Sequence, residues 1–370
     1  MEYLEYKLGE LLEYEQPTKY AVKSAKYDDE YSTPVLTAGK SFILGYTNET
    51  NGIYDNLPVI IFDDFTTATQ YVNFKFKVKS SAMKILKANE ELALTKYLYY
   101  LMQNIHCDHD THKRYWIQTY SKIRVSIPSL TEQKLVVSKI EELFSKLDKG
   151  VEELNKIKEQ LKIYRQAVLK EAFKSDMEYK SLGDISFSRL GKMLDKNKNR
   201  GEYRPYLRNI NVRWMNFDLC ELLYMKIEES ELEKYTATKG DLLMCEGGEP
   251  GRCAVWDMDY DICYQKAIHR IRFNKNTNPK FYMYYFHYMA QTGELSKYFT
   301  GMGIKHLTGE SLKKVPVPIL DIDDQQSILK CIEQRLSVCE KIEQTVNESL
   351  QKAESLRQSI LKQAFEGKLV

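Results

Sequence analysis

Two stretches of this chain carry long, narrow apolar stripes. In the first, Ile140, Leu143, Leu147, Val151, Leu154, Ile157, Leu161, Tyr164 and Val168 recur at spacings of three and four, with charged residues between them. In the second, Ile328, Ile332, Leu336, Cys339, Ile342, Val346, Leu350, Ala353, Leu356 and Ile360 do the same. Stripes sustained over this distance predict two long helices that bury their seams against each other as a coiled coil. Each is preceded by a proline-bearing stretch, Ile127-Pro128-Ser129-Leu130 and Val315-Pro316-Val317-Pro318, and proline disfavours helix before it.

The two helices are copies. Arg165-Gln166-Ala167-Val168-Leu169-Lys170-Glu171-Ala172-Phe173 returns as Arg357-Gln358-Ser359-Ile360-Leu361-Lys362-Gln363-Ala364-Phe365, and the same offset of 192 pairs Gln133 with Gln325 and Glu141 with Glu333. A weaker echo, Leu8-Gly9-Glu10-Leu11 with Leu182-Gly183-Asp184-Ile185, has an offset of 174, so the halves differ in their middles by 18 residues. Repeats of this kind share a core. The chain thus reads as four blocks: 1–129, a helix over 130–174, a second block over 175–320, and a helix over 321–370. Two equivalent units would set their helices antiparallel, as a rod of roughly 60 Å with a block at each end.

Within the blocks the period changes to that of strands. Leu57-Pro58-Val59-Ile60-Ile61-Phe62 is a buried apolar run, while Tyr71 to Val78 and Ala267 to Phe273 alternate. Short helices are predicted over Glu90 to Met102 and Pro279 to Met289, and Gly247-Gly248-Glu249-Pro250-Gly251 reads as a turn between strands. The expected class is α+β: two globular mixed α/β domains with twisted sheets, separated by an antiparallel pair of long helices in a pseudo-twofold repeat.

Composition narrows the function. Hydrophobic residues at 43% and charged residues at 29% are ordinary for a globular protein, and neither a signal-like start nor a membrane-length apolar run occurs, so a cytoplasmic chain without membrane attachment is expected. Seven cysteines without a C-x-x-C pair argue against a disulfide framework or a zinc ribbon. Net charge is only +2, but Arg189 to Arg213 holds eight basic residues against two acidic ones, with Tyr203, Tyr206, Asn209 and Asn211 interleaved. That mixture suits contact with phosphates and base edges together, although charge runs are often only solvated surface.

No catalytic motif emerges. His106-Cys107-Asp108-His109-Asp110-Thr111-His112 concentrates metal-ligand types, but nearly contiguous ligands fit a tetrahedral site poorly, and no metal is expected. Glu246-Gly247-Gly248-Glu249-Pro250-Gly251 lacks the Lys-Ser/Thr ending of a phosphate loop. Asp63-Asp64 remain formal acid/base or metal candidates, and the acidic run Asp321-Ile322-Asp323-Asp324 is better read as a helix start. An Asn-Pro-Pro-aromatic methyltransferase motif is absent. His112-Lys113-Arg114-Tyr115-Trp116 and Gly301-Met302-Gly303-Ile304-Lys305-His306-Leu307 occupy matching places before the two proline boundaries and are better suited to DNA contact.

Taken in order, Leu182-Gly183-Asp184-Ile185, Tyr206-Leu207-Arg208-Asn209-Ile210-Asn211-Val212, Lys239-Gly240-Asp241-Leu242-Leu243, Pro316-Val317-Pro318, Asp324-Gln325-Gln326-Ser327-Ile328 and Leu361 to Leu369 resemble the specificity subunits of type I restriction-modification enzymes. The likeness covers essentially the whole chain. The first block lacks clear copies of the Tyr206 to Val212 and Lys239 to Leu243 segments. Its Pro34 to Lys40 and Val59 to Asp64 resemble another subclass of the same target recognition domain.

The resemblance implies a non-catalytic subunit that reads a bipartite site in double-stranded DNA, one half per domain. Its helices would set the gap and dock two methyltransferase subunits. S-adenosylmethionine would come with those subunits, ATP and magnesium with separate restriction subunits, and no cofactor with this chain. The residues expected at DNA are Lys40, Thr47, Asn48, Thr66, His112, Lys113 and Arg114 in the first block. In the second they are Arg204, Arg208, Asn209, Asn211, Arg213, Arg252, Lys305 and His306. A competing reading is a coiled-coil adaptor joining two protein-binding domains.

Overall fold

The computed structural model describes residues 3–37, 41–81, 83–105, 115–173, 177–195 and 197–369. The chain divides into two compact units, one of residues 1–155 with 347–370 and one of residues 156–346. Each long helix, Leu130–Ala172 and Ile322–Phe365, therefore gives part of its length to each unit.

In the first unit a four-stranded antiparallel sheet runs in the order Leu12–Glu15, Met83–Ala88, Val59–Asp63, Thr69–Val72. The run Val59–Asp63 is buried along its whole length because both faces of the sheet are covered. Ile60 and Phe62 point to a core with the short helix Thr95–Gln103, Val136, Val137, Ile140 and Phe144 of the first long helix, and Ile360, Leu361 and Ala364 of the second. Val59 and Ile61 point the other way, to Leu36, Val72, Phe76 and Val78. That second layer is a sheet in the order Ile43–Thr47, Thr33–Leu36, Lys77–Val78, with the first pair antiparallel and the second parallel. The alternating stretch Tyr71 to Val78 is thus not one strand. The strand Thr69–Val72 ends, Phe76 forms a bridge with Tyr54, and Lys77–Val78 joins the other sheet.

The second unit repeats this topology in different residues. Its antiparallel sheet runs Ser186–Leu190, Ile268–Phe273, Leu242–Cys245, Cys253–Val255. Leu242 and Met244 face the core that holds Val168, Leu169 and Phe173 together with Leu329, Ile332 and Leu336 of the long helices and Phe281 and Phe286 of the helix Pro279–Gln291. Leu243 and Cys245 face the second sheet. There, Glu202–Leu207 lies antiparallel to Leu223–Ile227 and parallel to Ile262–Tyr264, which also pairs with Thr236–Ala237. Thr33–Leu36 in the first unit and Glu202–Leu207 in the second thus hold the same place in the same pattern.

Each block is closed by its proline strand, Arg124–Ile127 against Leu4–Lys7 and Pro316–Ile319 against Glu178–Ser181. A repeated glutamine fastens each of these junctions to the long helix beyond it. Gln133 accepts from the Leu94 backbone at 2.9 Å and donates to the Pro128 carbonyl at 2.9 Å. Gln325 accepts from the Asn278 backbone at 2.8 Å and donates to the Leu320 carbonyl at 2.8 Å. Both are buried, and both tie the start of a long helix to the entry of a short one. Ser129 and Glu132 exchange hydrogen bonds as a capping box on the first long helix, and Asp323 and Asp324 place negative charge in the first turn of the second.

The long helices are antiparallel in the second unit: Arg165 pairs with Glu343 at 2.7 Å and Glu171 with Arg335 at 2.7 Å. In the first unit they meet again through the Asp148–Arg357 ion pair, with the Arg357 guanidinium 4.3 Å over the Phe144 ring. Among the described residues no helix is long and apolar enough to cross a membrane.

Candidate nucleic-acid interface

Three loops of the second unit converge. One is the turn Asn209–Asn211 that follows strand Glu202–Leu207, another is the turn between Leu242–Cys245 and Cys253–Val255, and the third is a hairpin closed by the Thr300–His306 bridge. Asn209 joins the first two, donating from Nδ2 to the Gly247 carbonyl at 2.5 Å. The Arg252 guanidinium donates to both Asn209 oxygens at 3.0 Å and pairs with Glu249 at 2.8 Å. Glu249 also accepts from Trp214 Nε1 at 2.6 Å. The turn requires glycine: Gly248 has a φ of +74°, and a Cβ on Gly247 would stand 2.9 Å from His306 Nδ1. Leu307, just past the hairpin, is fixed through its N–H to the Glu246 carbonyl at 2.7 Å and through its carbonyl to His269. Residues far apart in sequence, Asn209, Arg252 and His306, are in this way brought to one place.

The remaining expectations for this unit divide. Arg208 is half-buried and pairs with Glu221 at 2.9 Å, Arg213 is exposed and pairs with Asp218 at 3.3 Å, and Arg204 reaches Glu202 at 3.0 Å and Glu229 at 3.4 Å. The Asp218 carboxyl is held below its ordinary range by the Cys220 backbone N–H and then by Arg213. Ion pairs exposed to this degree are worth about 0–1 kcal/mol, so these guanidiniums can exchange a carboxylate for a phosphate at little cost. Lys305 is exposed and closes its own hairpin by donating to the Gly301 carbonyl at 2.9 Å. Asn211 is a correction. It is 3% exposed and its side chain is spent on the Arg208 N–H and the Asp218 and Glu221 carbonyls, so it builds the loop and presents nothing outward. Within the basic run Lys192 is likewise buried, against Glu231 at 2.5 Å, and the lysine depresses that carboxyl.

In the first unit Lys40, His112, Lys113 and Arg114 lie outside the described residues, as does the histidine-rich segment that precedes them. Thr47 is a second correction: it is 1% exposed, and its hydroxyl accepts the Glu49 N–H at 3.2 Å. Asn48 is exposed after the strand Ile43–Thr47, and Thr66 is exposed in the turn after Val59–Asp63, donating to Asp63 at 2.7 Å. Asp63 and Asp64 have structural duties, the first shaping that turn and the second accepting the Trp116 N–H at 2.8 Å beside the buried Lys84. Among the described residues no group of His, Cys, Asp or Glu is placed to hold a metal ion.

Trp214 and Glu249, which complete a clamp with the expected Arg252, are not among the site residues that the sequence singles out. The i to i+3 spacing of Glu249 and Arg252 in a glycine turn is visible there, but the tryptophan arrives from a different loop.

Residues 174–352 match the family described as type I restriction modification DNA specificity domain. It is 45% identical over 204 residues to the type I restriction enzyme EcoR124I/EcoR124II specificity subunit of Escherichia coli, a match covering 52% of this chain and 50% of that one. It is 25% identical over 272 residues to the EcoKI specificity subunit of Escherichia coli strain K12, covering 68% and 59% respectively. The matches thus span half to three-fifths of the length of these relatives. The fold is shared with a solved chain from a study of complex assembly and conformational transition of the type I R-M system, at a TM-score of 0.69 and 17% identity over 98% of this chain and all of that one. It is shared also with the HsdS subunit from Thermoanaerobacter tengcongensis, at a TM-score of 0.58 and 18% identity over 99% of this chain and 97% of that one.

Proposed function

We propose that this chain is the DNA sequence-specificity subunit of a type I restriction-modification complex. Each globular block would read one half of a bipartite target, the second through Arg208, Asn209, Arg213, Arg252, Lys305 and His306, with Arg204 toward the backbone. In the first block the contacts would be Asn48 and Thr66, together with Lys40, His112, Lys113 and Arg114, which lie outside the described residues. The observation that carries this reading is the convergence of three loops around Asn209 and Arg252, in a topology built twice from dissimilar residues on a repeated helix. Shared scaffold with divergent loops is what two readers of different sequences require.

The long helices would fix the gap between half-sites and dock two methyltransferase subunits. S-adenosylmethionine and the adenine chemistry would belong to those subunits, and ATP, magnesium and cleavage to restriction subunits, leaving this chain non-catalytic and without a cofactor. The test is copurification with the methyltransferase subunit, then duplex binding across a salt series. A linear fall of log affinity with log salt, with a steep slope for target duplex, supports the reading. Copurification without any salt-sensitive DNA binding would instead favour a protein adaptor.

A further inference from the structure

The hairpin from Thr300 to His306 presents an apolar tip that the fold does not use. Met302 is fully exposed and Ile304 is 76% exposed, while the residues on either side of the hairpin are anchored. Thr300 and His306 exchange two backbone hydrogen bonds of 2.8 and 2.9 Å, and Lys305 Nζ crosses to the Gly301 carbonyl. Gly301 has a φ of +94° and no room for a Cβ against the Ile304 carbonyl, so the turn admits little else. The base of the hairpin is fixed by Leu307, which is fully buried, and the His306 ring lies against Gly247. A braced turn holds two apolar side chains out into water, beside Arg252, Asn209, Lys305 and His306.

Resting on the DNA-reading role proposed above, we infer that this tip is a wedge: Met302, backed by Ile304, enters between two base pairs of the half-site read by the second unit. The chemistry favours a duplex over a protein partner because Lys305 and Arg252 beside the tip are cationic and suit phosphates, whereas an apolar protein surface would leave Lys305 without a counter-charge. Apolar side chains inserted at a base step unstack it and bend the duplex, and the cost, a few kcal/mol per step, is least at flexible pyrimidine–purine steps. The hairpin therefore contributes specificity by reading deformability, at a position where no hydrogen bond is made.

The experiment uses the full chain with its methyltransferase subunit and a duplex carrying the bipartite target found by methylation mapping. 2-Aminopurine is placed at single positions through the second half-site, away from the methylated adenines. The wild-type complex should brighten the probe severalfold at one step, and Met302→Leu should keep that signal. The double substitution Met302→Ser with Ile304→Ser should lose it and bind the target roughly tenfold more weakly. Specific binding by wild type with a silent probe at every step, or a double variant equal to wild type, overturns the wedge and leaves the DNA-reading role standing. Loss of the methyltransferase subunit from the double variant also overturns it, by making the tip a protein contact. A wild-type complex with no site-specific binding at all would overturn the role itself and the wedge with it.

Discussion

Asn209 uses both ends of its amide, one on the Gly247 carbonyl and the other on Arg252, so it sets the direction of a guanidinium from another loop. Asn209→Ala leaves Arg252 with the backbone carbonyl of residue 209 and Glu249. The second unit should fold normally while affinity for target duplex falls roughly tenfold, the cost of one well-made polar contact; gel-shift titration measures it, and unchanged affinity would remove this node from the interface. Arg208→Ala should likewise weaken target binding and methylation without unfolding the unit. His287 gives a different prediction. Burial lowers its pKa to about 4, its ring lies tilted with its centroid 4.7 Å from that of Trp214, and its buried Nδ1 has no hydrogen-bond partner among the described residues. A histidine whose folded pKa lies below its unfolded value, near 6.5, destabilises the fold as pH falls between the two, because the unfolded chain takes the proton first. Thermal unfolding should therefore occur at lower temperature at pH 5 than at pH 7, and His287→Phe, which keeps a ring beside Trp214, should shrink that difference. Equal pH sensitivity in the variant would contradict the assignment.

At the scale of elements, the long helices, the short helix Pro279–Gln291 and the strand Ile268–Phe273 are legible in the sequence because each has one dominant period. Tyr71 to Val78 is not, because its alternation is shared between two sheets and the break at Asn73–Lys75 carries no glycine or proline. The kinship of the two blocks is hidden for a related reason. The strands Val59–Asp63 and Leu242–Cys245 have no residue identities to align, only burial on two faces, which many apolar sequences satisfy. Thr47 and Asn211 are misplaced by residue type alone, because type signals hydrogen-bonding capacity but not whether a neighbouring backbone has already claimed it. Conversely, Gln133 and Gln325 are visible as repeats, and the structure supplies their shared task. Gln133→Leu or Gln325→Leu should each destabilise its unit by about 1–3 kcal/mol, the cost of stranding buried backbone groups, as read by chemical denaturation. A loss well below that range would mean that water replaces the amide.

Over the whole molecule, one topology occurs twice, and a long helix follows each copy in the sequence. Each of the two helices, 43 and 44 residues long, contributes residues to both units. If those helices set the gap, adding one heptad to each at a matching position should widen the methylated motif by about three base pairs, since seven residues span about 10 Å of helix. The measurement that bears most directly on the central claim is a map of adenine methylation in cells with and without this chain. The account predicts that removing the chain abolishes methylation at a single bipartite motif and leaves all other motifs as they were. An unchanged map, in cells that contain the methyltransferase subunit, would contradict it.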